Sequence, residues 1–110
     1  MITWITGNSG SGKSTLAKKL QKIDGGIILD GDDLRRVWTI GYSRDDRIEH
    51  NLRAAKLAMN LEKQGLNVIV ATICPYKELR DRIKAMTGCR FIYLDGGKQS
   101  SDQYPYEGVF

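Results

Sequence analysis

The sequence has little with which to build a metal centre or a disulfide framework: two cysteines, Cys74 and Cys89, and one histidine, His50. The cysteines form no CxxC pair and each lies in or beside an apolar stretch, which reads as two buried, reduced thiols. With one histidine besides, they offer no zinc site, and no Ser-His-Asp arrangement is present. His50 lies in a helical pattern among polar neighbours, where a surface or hydrogen-bonded role is the default. No run of Lys or Arg exceeds two residues, so the net charge of +4 (17 basic, 13 acidic) describes a weakly basic surface. Such a surface suits an anionic substrate and does not call for nucleic acid. Long apolar runs are also missing. Met1 leads directly into Ile2 to Thr6, and five residues make neither a signal peptide nor a membrane span. The expectation is a cytoplasmic protein with no membrane partner. There is no internal repeat or low-complexity segment. With 110 residues, 41% hydrophobic and 27% charged, a single domain with a modest core is expected and global disorder is not.

What is present alternates. Ile2-Thr3-Trp4-Ile5-Thr6 is short, β-branched and aromatic, and ends at Gly7, as a buried strand does. Lys13 to Gln21 carries Leu16, Ala17 and Leu20 at helical spacing and stops at Gly25-Gly26. Ile27-Ile28-Leu29 reads as a second strand and Asp33 to Trp38 as a short helix. Ser43 with Asp46 looks like a capping box for a long helix that places Ile48, Leu52, Ala55 and Met59 on one face and closes at Lys63 and Gly65. Val68 to Ala71 is a third strand. Lys77 to Thr87 is a helix with Leu79, Ile83 and Met86 in register, and Phe91 to Leu94 is a fourth strand. Nearly continuous apolar strands are buried on both faces, which predicts an α/β fold with a parallel sheet of about four strands sandwiched between helices. Residues 1–97 form the core of this one domain. Residues 98–110 read as an extended tail that packs without adding a helix.

The chemistry is announced by Gly7-Asn8-Ser9-Gly10-Ser11-Gly12-Lys13-Ser14, a full match to G-x-x-x-x-G-K-[ST] between a strand and a helix. Glycines let the backbone wrap closely round phosphate oxygens, and the loop amides with the helix N-terminus aim partial positive charge at the anion. In such a P-loop, Lys13 reaches the β and γ phosphates of ATP and the Ser14 hydroxyl ligates magnesium. Thr15 either touches the α phosphate or fills a helix position.

Asp30-Gly31-Asp32-Asp33 closes the second strand. Ligands of open α/β sheets bind beyond the carboxyl ends of strands, so these acids fall on the same edge as the loop. One can organise magnesium and another can accept a hydroxyl proton. The plainer reading is a polar turn with Asp33 as helix cap. The third strand, Val68 to Thr72, ends without an acid, which leaves Asp30 and Asp32 as the metal-side residues and Asp95 in reserve. Arg35, Arg36, Arg44, Arg47 and Arg53 supply cations suited to phosphate or sulfate, although any single arginine is most often a solvated helix face.

Together these pieces resemble the adenylylsulfate kinase family of P-loop kinases. The matching segments, in order, are Gly7 to Thr15, Leu29 to Arg35, Gly41-Tyr42-Ser43 with Asp46-Arg47-Ile48-Glu49, Ile73-Cys74-Pro75-Tyr76, and Phe91 to Asp95. The resemblance implies transfer of the γ phosphate of Mg-ATP to the 3′ hydroxyl of adenylyl sulfate. It implies Asp32 as proton acceptor and Asp30 as magnesium organiser. It further implies Arg35 and Arg47 on the acceptor's phosphosulfate, Tyr42 on its adenine, and Ile73, Pro75 and Tyr76 lining its pocket. The departures are His50 where the family usually has Asn, Cys74 where it has Ser, and Gly96-Gly97 with a short tail where it has a Lys/Arg-rich lid and a fifth strand. Tyr104-Pro105-Tyr106-Glu107 stands as the remnant of a family turn.

The expectation is therefore an ATP-dependent, magnesium-dependent kinase acting on adenylyl sulfate. Alternatives are a P-loop kinase for another acceptor (a nucleotide, a modified DNA base or a sugar) or a non-catalytic nucleotide-binding regulator. The sheet edge left without a fifth strand is expected to be covered by the tail or by a second subunit in a homodimer.

Overall fold

The computed structural model describes residues 1–108; Val109 and Phe110, the end of the tail read from the sequence, lie outside the described residues. Four strands, β1 (Ile2–Thr6), β2 (Ile27–Asp30), β3 (Val68–Ala71) and β4 (Arg90–Tyr93), form one parallel sheet in the order β2-β3-β1-β4. The connections carry α1 (Lys13–Asp24), α2 (Gly31–Trp38), α3 (Arg44–Lys63) and α4 (Lys77–Thr87).

Alternate strand residues feed two cores, because successive side chains point to opposite faces. Ile2, Trp4, Val68 and Val70 pack with Leu52, Ala55 and Ala58 of α3 and Leu79 and Ile83 of α4. Ile5, Ile69 and Ala71 face Ala17, Leu16 and Leu20 of α1. The predicted sandwich is present, with the thicker core on the α3–α4 side. The inner strands β1 and β3 are buried throughout, as expected, but β2 and β4 are only half-buried at the edges.

Three local expectations need correction. The acid that caps α2 is Asp30, whose side chain accepts from Asp32 N, so the helix starts at Gly31 and not at Asp33. Met59 is 37% exposed: the predicted face of α3 holds at Leu52 and Ala55, which are buried, and at Ile48, which packs against the core, but fails at Met59, and the buried side also takes in His50, Asn51, Ala54 and Ala58. The fourth strand begins at Arg90 and ends at Tyr93. The Ser43 cap is as read, its hydroxyl accepting from Asp46 N at 3.1 Å. Both cysteines are free and buried.

The described part of the tail contains no helix or strand. It folds back over the carboxyl ends of the strands. Tyr106 shares a 2.8 Å hydrogen bond with Thr6 and stacks on Tyr93, with ring centroids 5.7 Å apart.

Candidate active site

β1 delivers the chain to Gly7 at the carboxyl edge of the sheet. A Cβ there would strike Leu94 O and Ser11 Oγ, so glycine is required by close approach. The loop tightens through Ser11 N donating to Asn8 O at 3.2 Å. It enters α1 through Gly12, whose φ of 92° is a left-handed conformation that favours glycine. The first helical hydrogen bond is Leu16 N to Gly12 O. The amides of Lys13, Ser14 and Thr15 therefore precede the helix ladder and are available to an anion.

Lys13 arches back over the loop, its Nζ 3.2 Å from Asn8 O and 3.4 Å from Ser11 Oγ. Burial pushes its pKa below the ordinary lysine value, while the nearby carboxylates of Asp32 and Asp30 pull the other way. Ser14 Oγ donates to Asp30 Oδ2 at 2.6 Å, and the other oxygen of Asp30 accepts from Asp32 N at 2.9 Å. One carboxylate thus caps α2 and meets the phosphate-loop hydroxyl.

The oxygen pair of Ser14 and Asp30 suits magnesium, which favours oxygen ligands and binds through one or two protein groups plus substrate phosphates. No cluster of three or more His, Cys, Asp or Glu suited to holding a metal occurs among the described residues. The donor set therefore fits a nucleotide-borne cation better than a resident one.

A cavity of about 410 Å³ opens here. It brings together Asn8, Ser9, Gly10, Gly12, Lys13, Ser14 and Thr15 with Asp30 and Asp32, and beyond them Arg35, Tyr42, Arg47, Ile73 and Pro75. Gly7 and Ser11 fall outside the lining. So does Tyr76, an expected pocket residue. Tyr76 is 5% exposed within the core and its ring carries the Arg44 guanidinium at 4.0 Å, because it stands at the N-cap of α4, whose Leu79 and Ile83 pack in the same core. The Arg35 guanidinium lies 4.1 Å over Tyr42 and donates to Gly41 O at 2.7 Å, which presents cation and aromatic ring as one unit. Arg47 donates to Gln103 O at 3.3 Å.

The floor was not foreseen. His50 is 3% exposed, and its Nδ1 accepts from Trp38 Nε1 at 2.9 Å. Of the two roles open to it in the sequence, the hydrogen-bonded one is realised. Burial, then the charge of Arg35, lowers its pKa from 6.5 to about 4, so the ring is neutral at pH 7. Beside it runs a polar chain: Trp4 Nε1 donates to Thr72 Oγ1 at 2.9 Å, Thr72 Oγ1 to Asn51 Oδ1 at 2.6 Å, and Asn51 Nδ2 to Arg47 O at 2.9 Å. The one available signal was register, since Asn51 lies four residues after Arg47 on the helix face that turned out to be buried. The tail is the other surprise, because Gln103, Tyr104 and Pro105 close one side of the cavity.

Comparison with known proteins follows this geometry. The family model described as adenylylsulphate kinase matches residues 1–103. The adenylyl-sulfate kinase of Pseudomonas aeruginosa is 46% identical over 99% of this chain and 61% of its own length. The cytidine diphosphoramidate kinase of Campylobacter jejuni is 42% identical over 99% of this chain and 68% of its own. Among solved structures, the Mycobacterium tuberculosis APS kinase CysC in complex with AMPPNP and APS superposes with a TM-score of 0.69 at 31% identity, covering 93% of this chain and 64% of that one. The chain spans about half the length of the curated adenylyl-sulfate kinases it matches.

Proposed function

Since this chain belongs to the adenylylsulphate kinase family, we propose that it transfers the γ phosphate of Mg-ATP to a nucleotide hydroxyl, with the 3′ hydroxyl of adenylyl sulfate as the first acceptor to test. The observation that carries the reading is the meeting of two sequence-distant pieces across one cavity. The phosphate loop supplies Lys13 and Ser14, and the junction of β2 with α2 supplies Asp30 and Asp32, with Ser14 and Asp30 at 2.6 Å.

The loop amides and Lys13 would bind the β and γ phosphates and offset the charge that builds on them. Ser14 and Asp30 would hold the magnesium, which supplies charge neutralisation at the phosphate oxygens. Asp32 is the carboxylate left to accept the proton of the attacking hydroxyl. Arg35 and Arg47 would grip the acceptor's anionic group, Tyr42 would stack on its base, and Ile73 and Pro75 would bound its pocket. Most of the rate would come from positioning and charge stabilisation. Cytoplasmic ATP is the expected donor, and two buried thiols suit that compartment.

A second reading keeps the donor and changes the acceptor to a cytidine nucleotide. It is favoured by the strong match to a relative named for such a substrate. The test is one assay with Mg-ATP and each acceptor in turn, product mass being read by mass spectrometry. A gain of one phosphate on adenylyl sulfate supports the first reading, and a gain on cytidine diphosphoramidate alone supports the second. Mg-ATP binding without product on either would move the chain to the regulator class.

A further inference from the structure

Asn8 is 5% exposed, yet none of its amide hydrogens is spent within the loop. Its Nδ2 donates to Lys98 O at 3.0 Å and to Tyr104 O at 2.9 Å, while its Oδ1 accepts from Ser9 N at 2.8 Å. The tail answers with Lys98 N to Ser9 O at 2.9 Å. Gly97 sits so close that a Cβ there would lie 2.6 Å from Asn8 O and 2.9 Å from Ser9 O.

The carbonyl of Asn8 works on the other side as well, accepting from Lys13 Nζ and Ser11 N, both at 3.2 Å. A single buried residue therefore touches the tail with its side chain and the phosphate-binding ammonium with its backbone. The tail is tied again beyond this point, through Glu107 N to Pro75 O at 2.7 Å. Between the two ties, Tyr104 and Pro105 line the cavity. A polar segment such as Lys98 to Gln103 has little apolar surface with which to order itself, so its position depends on hydrogen bonds, these and the one from Arg47 to Gln103 O.

We infer that the tail, whose Gln103, Tyr104 and Pro105 wall the cavity of the phosphate loop, is pinned to that loop by Asn8, so that nucleotide binding and order in the tail are coupled. This rests on the loop being a nucleotide site. Asn8 is a positioning residue here. Nucleotide seated in the cavity would pack against Tyr104 and Pro105 and favour the ordered tail. Conversely, a loosened tail leaves the nucleotide without one side of its pocket.

Limited trypsin digestion tests the pin, with cleavage after Lys98 followed by intact mass. Asn8→Asp keeps an acceptor for Ser9 N but can donate to neither tail carbonyl. Without nucleotide, it is expected to be cut after Lys98 about tenfold faster than wild type, the loss of two hydrogen bonds. Cutting at the wild-type rate would overturn the pin.

Saturating Mg-ATP is expected to slow cleavage of the wild type severalfold. Tyr106→Ala, which removes the tail's tie to Thr6 and its stack on Tyr93 and lies outside the cavity lining, is expected to weaken Mg-ATP binding severalfold by calorimetry. Mg-ATP that binds without slowing cleavage, or Tyr106→Ala that binds it as tightly as wild type, would overturn the coupling. Failure of the wild type to bind Mg-ATP at all would remove the coupling together with the phosphate-loop reading, while digestion of the nucleotide-free Asn8→Asp protein still decides the pin.

Discussion

Acidification below pH 6.5 is expected to weaken this fold through His50. In the folded state Trp38 Nε1 donates to His50 Nδ1, so a proton on that nitrogen would set donor against donor. The ring is buried and its pKa falls from 6.5 to about 4. Between those values the unfolded chain binds a proton that the folded chain does not. Stability therefore falls as pH falls, with full stability present above the unfolded pKa. A displacement of this size amounts to about 2 kcal/mol lost between pH 7.5 and pH 5, and at most about 3 kcal/mol once the folded ring itself titrates. The assay is urea unfolding of wild type and His50→Gln at both pH values, since the difference between the two proteins isolates His50 from the carboxylates. Wild type should lose about 2 kcal/mol more than His50→Gln. Trp38→Phe, which removes the facing donor, should shrink the pH dependence. Equal losses in all three proteins would refute the reasoning.

Lys13→Ala should abolish phosphoryl transfer, measured as product formation from Mg-ATP, with circular dichroism unchanged. Asn51→Leu orphans the buried Thr72 hydroxyl, whose hydrogen was accepted by Asn51 Oδ1, and should cost about 1–3 kcal/mol in urea unfolding. Gly7→Ala should disturb the loop and weaken nucleotide binding as read by calorimetry, because a Cβ there has no room against Leu94 O.

The parallel sheet and the phosphate loop were legible because their signals are local: apolar runs, glycines at fixed spacing, and a lysine and serine at a helix start. The facing acids were legible for a topological reason, since Asp30 and Asp32 follow a strand and ligands gather at strand ends. The rest depended on contacts that spacing does not encode. Tyr76 sits in a matching segment, but its place at the N-cap of α4 puts it in the core. His50 looked like a residue on a polar helix because the buried side of α3 sets Leu52 among three alanines and Asn51, a weak apolar pattern. The tail has no periodicity, and its place is set by Asn8 and Thr6, about 90–100 residues earlier in the chain.

Phosphoryl transfer is proposed to take place between the phosphate loop and the junction of β2 with α2, with Asp32 receiving the proton. Asp32→Asn, assayed for Mg-ATP affinity by calorimetry and for γ-phosphoryl transfer to the acceptor in parallel, tests it most directly. The expected result is Mg-ATP affinity within a fewfold of wild type and transfer reduced at least about a hundredfold, the usual scale for losing a general base. Transfer at the wild-type rate in Asp32→Asn would contradict the assignment.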